Sequence, residues 1–238
     1  MPDLLEELPV VRLPRLGEPA PEFEAVTTHG VLHLSDYRDR WLILFSHPAD
    51  FTPVCTTEFI GFTEIYPELQ ELGVDLLGLS IDSVYSHIAW LMNIKEKMGV
   101  DVPFPVIADL DRRVATLYGM IHPGESKTEA SRAVFFIDPK GILRAMIYYP
   151  LTTGRNMAEI LRVVRALQLN DAAKVATPAN WTPGAEVIMP APATLEMAQV
   201  RLAERLPGTK DWYFTKKPAP AEAPEAPKPE PVTAGERS

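Results

Sequence analysis

The apolar residues of this chain fall into two patterns that alternate along it. Short, nearly continuous apolar runs are typical of buried strands, and they occupy residues 41–45, 74–81, 105–108, 131–137 and 142–149. Helices are predicted among and after them, at residues 54–72, 84–98, 111–118 and 156–169, and the first and last of these carry apolar residues three or four positions apart. The alternation predicts an α/β fold in which helices flank a mixed sheet.

Turn and cap residues mark where these elements begin and end. Residues 23–34 predict two short strands around a tight turn, and residues 138–141, Asp-Pro-Lys-Gly, predict a second hairpin. Asp82 or Ser83 can cap the helix that follows it, and Gly99 ends that helix.

The character of the chain changes after residue 170. Prolines mark an irregular arm, which is interrupted by a helix-like segment at residues 194–206 and a short aromatic strand at residues 211–215. Because the arm is short and aromatic, we expect it to pack against a partner subunit. The Pro-, Ala- and Glu-rich tail buries too little apolar surface to fold and is predicted to be disordered. The predicted parts are an N-terminal segment (1–15), a main domain (16–169), an extension (170–215) and the tail (216–238).

Composition and charge exclude several classes of protein. Of the 238 residues 46% are hydrophobic, enough for a substantial core, and no apolar run approaches the ~20 residues of a membrane span. The net charge of −9 argues against a nucleic-acid or anionic-membrane partner. The acidic N-terminus lacks the apolar core of a signal peptide and the chain has a single cysteine, so we expect a cytoplasmic protein without an intrachain disulfide.

The single cysteine lies where the strand at residues 41–45 gives way to the helix at residues 54–72. Pro53 suits the first turn of a helix, because its missing N–H costs nothing there, and this places Cys55 in that turn. Unpaired N–H groups and the positive end of the helix dipole both favour a thiolate over a thiol. A lone cysteine is usually an inert buried residue, but this position favours a reactive one.

The residues around this cysteine resemble a known motif. The stretch from His47 to Glu58 reads His-Pro-Ala-Asp-Phe-Thr-Pro-Val-Cys-Thr-Thr-Glu and is similar to the peroxidatic loop of the peroxiredoxins, thiol peroxidases on a thioredoxin-type fold. Its core, Pro-x-x-x-Thr-x-x-Cys, corresponds to Pro48, Thr52 and Cys55. The resemblance covers residues 16–214 approximately and is greatest to the one-cysteine branch with a long C-terminal extension. It therefore implies a thioredoxin-like sheet followed by an extension arm.

The resemblance also implies roles for individual side chains. Thr52 and the Cys55 N–H would hold the peroxide, while Pro48 would shield the thiolate from water. Arg132 precedes an apolar strand and matches the family's arginine that stabilises thiolate and peroxide. A guanidinium suits that role because it stays charged and presents a fork of donors. Considered alone, Arg132 is equally consistent with an exposed arginine at a strand end.

Three further residues are candidates for the supporting pocket. Arg155 resembles the second arginine of this branch, and Glu58 resembles the carboxylate that orients the first. The alternatives are a surface arginine and a favourable carboxylate near a helix N-terminus. His47 is a proton donor, a pocket wall or simply a hydrogen-bonded histidine. We predict no cofactor and no metal, since His29 and His33 lie across a turn with no cysteine nearby and no carboxylate at ligand spacing.

We therefore predict an enzyme that reduces hydrogen peroxide and small organic hydroperoxides by oxidising the Cys55 thiolate to sulfenic acid. Thr209 and Thr215 stand where some relatives carry cysteines, so an external thiol is expected to recycle the sulfenic acid. The resemblance implies a homodimer, alone or closed into a decameric ring. The alternatives are a holdase-like assembly in which turnover is incidental, and a cysteine hydrolase, which would need a histidine and an orienting Asn or Asp beside Cys55.

Overall fold

The computed structural model describes residues 13–220. Its strands are β1 (Glu24–Thr27), β2 (Gly30–His33), β3 (Trp41–Ser46), β4 (Val74–Ser80), β5 (Val106–Ala108), β6 (Arg132–Ile137), β7 (Leu143–Tyr149), β8 (Val187–Ile188), β9 (Thr209–Asp211) and β10 (Phe214–Lys217). Its helices are α1 (Pro53–Glu71), α2 (Val84–Met98), α3 (Arg113–Leu117), α4 (Met157–Ala173) and α5 (Leu195–Glu204), with one 3₁₀ turn at Leu34–Tyr37. No helix in this described part is long and apolar enough to span a bilayer.

The main sheet contains seven strands in the order β2-β1-β5-β4-β3-β6-β7. The pairs β3–β4 and β4–β5 are parallel, and the other pairs are antiparallel. Parallel neighbours need a crossover connection, and α1 and α2 provide the two crossovers, with α1 against β4 and α2 against β5. The mixed sheet with flanking helices that the apolar pattern predicts is confirmed.

Every residue of the central strands β3 and β4 is buried, which explains why their sequences are continuous rather than alternating apolar runs. Aromatic side chains from β3, α1, α2 and the residues just before β5 pack together here. They are Phe45, Phe59, Phe62, Trp90 and Phe104. Gly78 of β4 faces this cluster, where a Cβ atom would lie 3.3 Å from the Phe45 ring. The missing side chain thus leaves room for the aromatic rings under α1.

The predicted caps and turns are present. The Ser83 hydroxyl accepts a hydrogen bond of 3.1 Å from the Ser86 N–H and caps α2. Gly99 ends the same helix in the left-handed conformation, with φ of 71°. In the hairpin between β6 and β7, the Asp138 carboxylate accepts hydrogen bonds from the Lys140 and Ile142 N–H groups and so stabilises the turn.

The described residues form two compact units, 13–155 and 156–220. In the second unit, β8, β10 and β9 make a three-stranded sheet in that order. A small core accompanies it, formed by Ala166, Leu169, Val175, Trp181 and Val187. The domain boundaries given above remain predictions, and β10 continues two residues into the segment predicted as a tail. Residues 1–12 and 221–238, which hold most of the N-terminal segment and of the tail, lie outside the described residues.

The structure corrects one element of the arm. The aromatic pattern predicts a single strand at residues 211–215, and this is wrong: Trp212 and Tyr213 form a turn between β9 and β10. The Asp211 carboxylate accepts a hydrogen bond from the Trp212 N–H, a local contact that favours a turn. Both turn rings are exposed, so the β-propensity of aromatic residues is not supported by packing on neighbours.

The hairpin brings two threonines together. Thr209 and Thr215 are paired across β9 and β10, and their hydroxyl oxygens lie 3.1 Å apart. The two threonines that the resemblance aligns with cysteines of some relatives are thus cross-strand neighbours in this chain, linked by a hydrogen bond.

Candidate active site

Cys55 lies in the first turn of α1, and its side chain is completely buried. Pro53 occupies the first helical position, as its lack of an N–H favours. Thr52, the residue before the helix, has an extended backbone, and its hydroxyl donates a hydrogen bond of 2.9 Å to the Ala49 carbonyl oxygen. That hydroxyl keeps its lone pairs for another donor. Pro48 is buried in the same loop.

Arg132 reaches the cysteine from the neighbouring strand. Phe45 of β3 is paired with Val134 of the antiparallel β6, so Arg132, two residues earlier, stands level with the start of the loop that leads to α1. Its Nη1 atom lies 3.3 Å from Cys55 Sγ, and its Nε–H donates to the Leu151 carbonyl oxygen at 2.8 Å. The side chain is buried, so the alternative of an exposed arginine at a strand end is wrong.

Glu58 holds both arginines in place. It accepts a hydrogen bond of 2.6 Å from Arg132 Nη1, and it accepts three from Arg155: from the backbone N–H and Nε at 2.9 Å and from Nη2 at 2.6 Å. Burial alone would raise the pKa of the Glu58 carboxyl, but the charge and hydrogen bonds of Arg155, together with the charge of Arg132, outweigh burial and lower it. Glu58 is therefore a carboxylate at neutral pH.

Arg155 is buried in the sheet as well as bound to the carboxylate. Its Nη1 group donates to the Ser46 carbonyl oxygen at 2.9 Å and to the Ala133 carbonyl oxygen at 3.1 Å, and its guanidinium lies over the rings of Phe45 and Phe62. Burial lowers the pKa of Arg155, and the Glu58 charge opposes that shift. Because the ordinary pKa of an arginine lies far above neutral pH, the Arg155 guanidinium stays charged. The surface alternative for Arg155 is wrong.

His47 belongs to a second buried network. Its Nε2 atom lies 3.0 Å from Asp50 Oδ1, while its ring packs against Phe59 and Trp90. The same carboxylate contacts Nδ1 of His87, at 2.9 Å and 3.0 Å to its two oxygens. His47 is thus a hydrogen-bonded histidine, one of the three alternatives left open by the sequence.

The sequence interpretation did not include Asp50 and His87. A signal was available, because His87, Trp90 and Ile94 form the buried stripe of α2, and a histidine in such a stripe needs polar partners. Among the described residues, His47, Asp50 and His87 also offer metal-ligand atoms within 4.8 Å of one another. Each histidine lies at direct hydrogen-bond distance from the Asp50 carboxylate. These hydrogen bonds account for the contacts among the three side chains.

Comparison with known proteins places this arrangement in a family. The family model described as the AhpC/TSA family matches residues 16–146, and the model for the C-terminal domain of 1-Cys peroxiredoxin matches residues 166–205. A peroxiredoxin of Aquifex aeolicus is 57% identical over 219 residues, which cover 87% of this chain and 98% of that protein.

Two solved structures have the same fold. A yeast mitochondrial 1-Cys peroxiredoxin, studied for thiol resolution via the glutathione and thioredoxin systems, has a TM-score of 0.73 and 41% identity, covering 85% of this chain and 99% of that chain. A cysteine-to-serine mutant of peroxiredoxin 6 of Arenicola marina has a TM-score of 0.77 and 40% identity, covering 87% and 99%. The predicted thioredoxin-like fold is confirmed.

Proposed function

Since this chain belongs to the peroxiredoxin family of thiol-dependent peroxidases, we propose that it reduces hydrogen peroxide and small organic hydroperoxides with the thiolate of Cys55. The observation that carries the proposal is the 3.3 Å contact between Arg132 Nη1 and the buried Cys55 Sγ. Two guanidinium groups face one carboxylate around this sulfur. The cluster therefore has one positive charge that a thiolate would balance.

The reaction is a two-electron transfer from sulfur to the O–O bond. The Cys55 thiolate attacks the nearer oxygen of the peroxide, an S–O bond forms and the O–O bond breaks. Sulfur is oxidised to sulfenic acid, and the other oxygen leaves as hydroxide or alkoxide and takes a proton to become water or alcohol. A buried sulfur favours small peroxides over bulky ones.

Donors aimed at the two oxygens would lower the barrier, because negative charge moves from sulfur to the leaving oxygen. Arg132 is placed to stabilise both the thiolate and the bound peroxide. Thr52 donates its own proton to the Ala49 carbonyl oxygen, so its Oγ would accept the peroxide O–H and orient it. Pro48 would limit water at the sulfur, while Glu58 and Arg155 hold Arg132 in position.

An external thiol would complete the cycle. Cys55 is the single cysteine of the chain, so no thiol of the same chain can attack the sulfenic acid. A thiol would displace water from it to form a mixed disulfide, and a second thiol would release Cys55. A reducing compartment such as the cytoplasm would supply these thiols. The yeast neighbour has been studied with the glutathione and thioredoxin systems, which are therefore the first reductants to test.

The decisive test replaces the sulfur by oxygen. We expect Cys55→Ser, a nearly isosteric change, to reduce peroxide consumption in stopped flow to the background rate. After one equivalent of peroxide, wild-type protein should gain one oxygen atom at Cys55 by mass spectrometry. Peroxide consumption by Cys55→Ser at the wild-type rate would overturn the proposal.

We also propose that the chain forms a homodimer, alone or as a decameric ring. The second unit exposes several large apolar side chains that a partner subunit could cover, which are Leu195, Met197, Val200, Leu202, Trp212 and Tyr213. Sedimentation velocity of the full chain should give a single species at twice or ten times the monomer mass. A monomer at micromolar concentration would contradict this proposal.

A further inference from the structure

His87 lies between two acceptors deep in the first unit. Its side chain comes from α2 and is completely buried. Nε2 lies 3.0 Å from the Ile107 carbonyl oxygen on β5, and Nδ1 lies 2.9 Å from Asp50 Oδ2. A carbonyl oxygen can only accept, so Nε2 must carry a proton.

The second ring nitrogen must carry a proton too. Burial alone would raise the pKa of the Asp50 carboxyl. Hydrogen bonds from His47 and His87 outweigh burial and hold this pKa well below its ordinary value. A carboxylate only accepts hydrogen bonds, so Nδ1 of His87 is a donor. The groups that face His87 are the Asp50 carboxylate, the Ile107 carbonyl and the His47 ring, so each ring nitrogen of His87 has an oxygen acceptor within 3.0 Å.

The contact of Asp50 with both histidines also determines the protonation state of His47. Its Nε2 atom lies 3.0 Å from Asp50 Oδ1 and therefore donates a proton to that oxygen. Burial lowers the pKa of His47 despite the nearby carboxylate, so the ring is neutral with Nδ1 unprotonated. Within residues 13–220, that buried Nδ1 atom has no hydrogen-bond partner.

Asp50 connects the His87–Asp50 pair to the loop that precedes Cys55, because Asp50 is itself a residue of that loop. Its backbone N–H donates to Asp82 Oδ2 at 3.0 Å, and the Ser80 hydroxyl donates to the same oxygen at 2.7 Å. The next residue, Phe51, has a left-handed backbone with φ of 54°, a conformation that needs support in a residue with a bulky side chain. The loop is thus anchored to β4, α2 and β5 on one side.

We infer that His87, as an imidazolium, is a positioning residue for the proposed peroxidase reaction: it holds Asp50, and through Asp50 it fixes residues 47–53 and the tautomer of His47. The inference rests on the proposed function. It requires no contact between His87 and the peroxide.

Two amide substitutions separate the two hydrogen bonds of His87. The amide nitrogen of asparagine can take the position of Nδ1, and that of glutamine the position of Nε2. His87→Asn should therefore keep the bond to Asp50, and His87→Gln the bond to the Ile107 carbonyl. We expect His87→Gln to slow Cys55 oxidation by hydrogen peroxide by about tenfold, since a displaced reacting group costs about this much or more. His87→Asn should stay within about threefold of wild type.

The matched pair distinguishes positioning from general stability, because both variants bury a neutral amide in the same cavity. His122→Gln, a partly buried histidine outside the network, is the control and should keep the wild-type rate. In an Asp50→Asn background, the difference between the two His87 variants should disappear. Equal rates for His87→Gln and His87→Asn in the wild-type background would overturn the inference.

A spectroscopic measurement tests the charge directly. Nitrogen-15 NMR of the wild-type imidazoles at neutral pH should show both His87 nitrogens protonated and His47 protonated at Nε2 alone. One unprotonated nitrogen on His87 would overturn the inference even if the rates behaved as expected. The NMR outcome does not depend on the proposed function, which fails only if wild-type protein does not consume peroxide or if Cys55→Ser consumes it at the wild-type rate.

Discussion

The charge balance around one sulfur atom is the main residue-scale feature of this protein. Glu58 pairs with both Arg132 and Arg155, so neither arginine is a buried charge without a partner. The two arginines and one carboxylate together carry one excess positive charge, and Arg132 Nη1 lies 3.3 Å from Cys55 Sγ. This is the arrangement that the proposed reaction requires, because a nearby positive charge would favour a thiolate at Cys55.

The first residue-scale prediction concerns Arg132. Arg132→Met keeps an unbranched apolar stem but removes the guanidinium and its charge, so at a fixed pH the thiolate fraction of Cys55 should fall. The rate constant for oxidation by peroxide should fall by about a hundredfold or more, since a donor aimed at the developing charge is lost. Ultraviolet thiolate absorbance and stopped-flow kinetics measure the two effects.

Arg132→Lys is the matched control for this change. Lysine keeps the positive charge but not the planar fork, so it should restore most of the thiolate fraction and only part of the rate. An unchanged thiolate absorbance in a folded Arg132→Met protein would remove the arginine from the mechanism.

At the scale of elements, the candidate active site depends on how α1 and α2 begin. Pro53 starts α1 after the strained Phe51, and this places Cys55 in the first turn. The hydroxyl of Ser83 caps α2, whose buried stripe carries His87 within hydrogen-bond distance of Asp50. The two helix starts therefore set the position of the loop between β3 and α1.

The prediction at this scale is that the α2 cap contributes to stability. Ser83→Ala leaves the Ser86 N–H without its acceptor, so the free energy of unfolding should fall by about 1 kcal/mol. Urea denaturation measures the loss. Ser83→Asp, which retains an acceptor at the same place, should stay near the wild-type value, and a Ser83→Ala protein as stable as wild type would show that the cap contributes nothing.

For the whole molecule, the buried carboxylates predict how stability depends on pH. The folded-state pKa values of Glu58 and Asp50 lie below their ordinary values of 4.5 and 3.8. Their stabilising contribution is therefore complete above those ordinary values and is lost as the pH falls through the lower, folded-state values. Burial raises the pKa of the Asp109 carboxyl, so this group acts in the opposite direction and reduces the expected loss of stability.

We expect the free energy of unfolding to fall by about 1–3 kcal/mol between about pH 5 and about pH 2. Urea denaturation at a series of pH values measures this fall. Glu58→Gln should be less stable at neutral pH and should show a shallower fall in acid. Asp101→Asn changes an exposed carboxyl and should follow the wild-type curve, while a wild-type stability that rose in acid would contradict the prediction.

Much of the fold was predictable from local pattern alone. The continuous apolar runs predicted central strands, because a strand buried on both faces has no polar positions. Ser83 and Gly99 marked the ends of α2 through their own backbone preferences. Trp212 and Tyr213 were misinterpreted for the same reason: aromatic residues favour strands, but here a side-chain contact from Asp211 stabilises a turn.

The motif from His47 to Glu58 placed the cysteine at a helix start, and the resemblance indicated its family; both rest on residues close together in the chain. Tertiary structure alone decided that Glu58 binds Arg155, 97 residues away, and that Asp50 binds His87, 37 residues away. Such contacts depend on strand order and on which face of a helix meets the sheet. Sequence thus determined the local elements, whereas the balance of buried charges was set by how those elements pack.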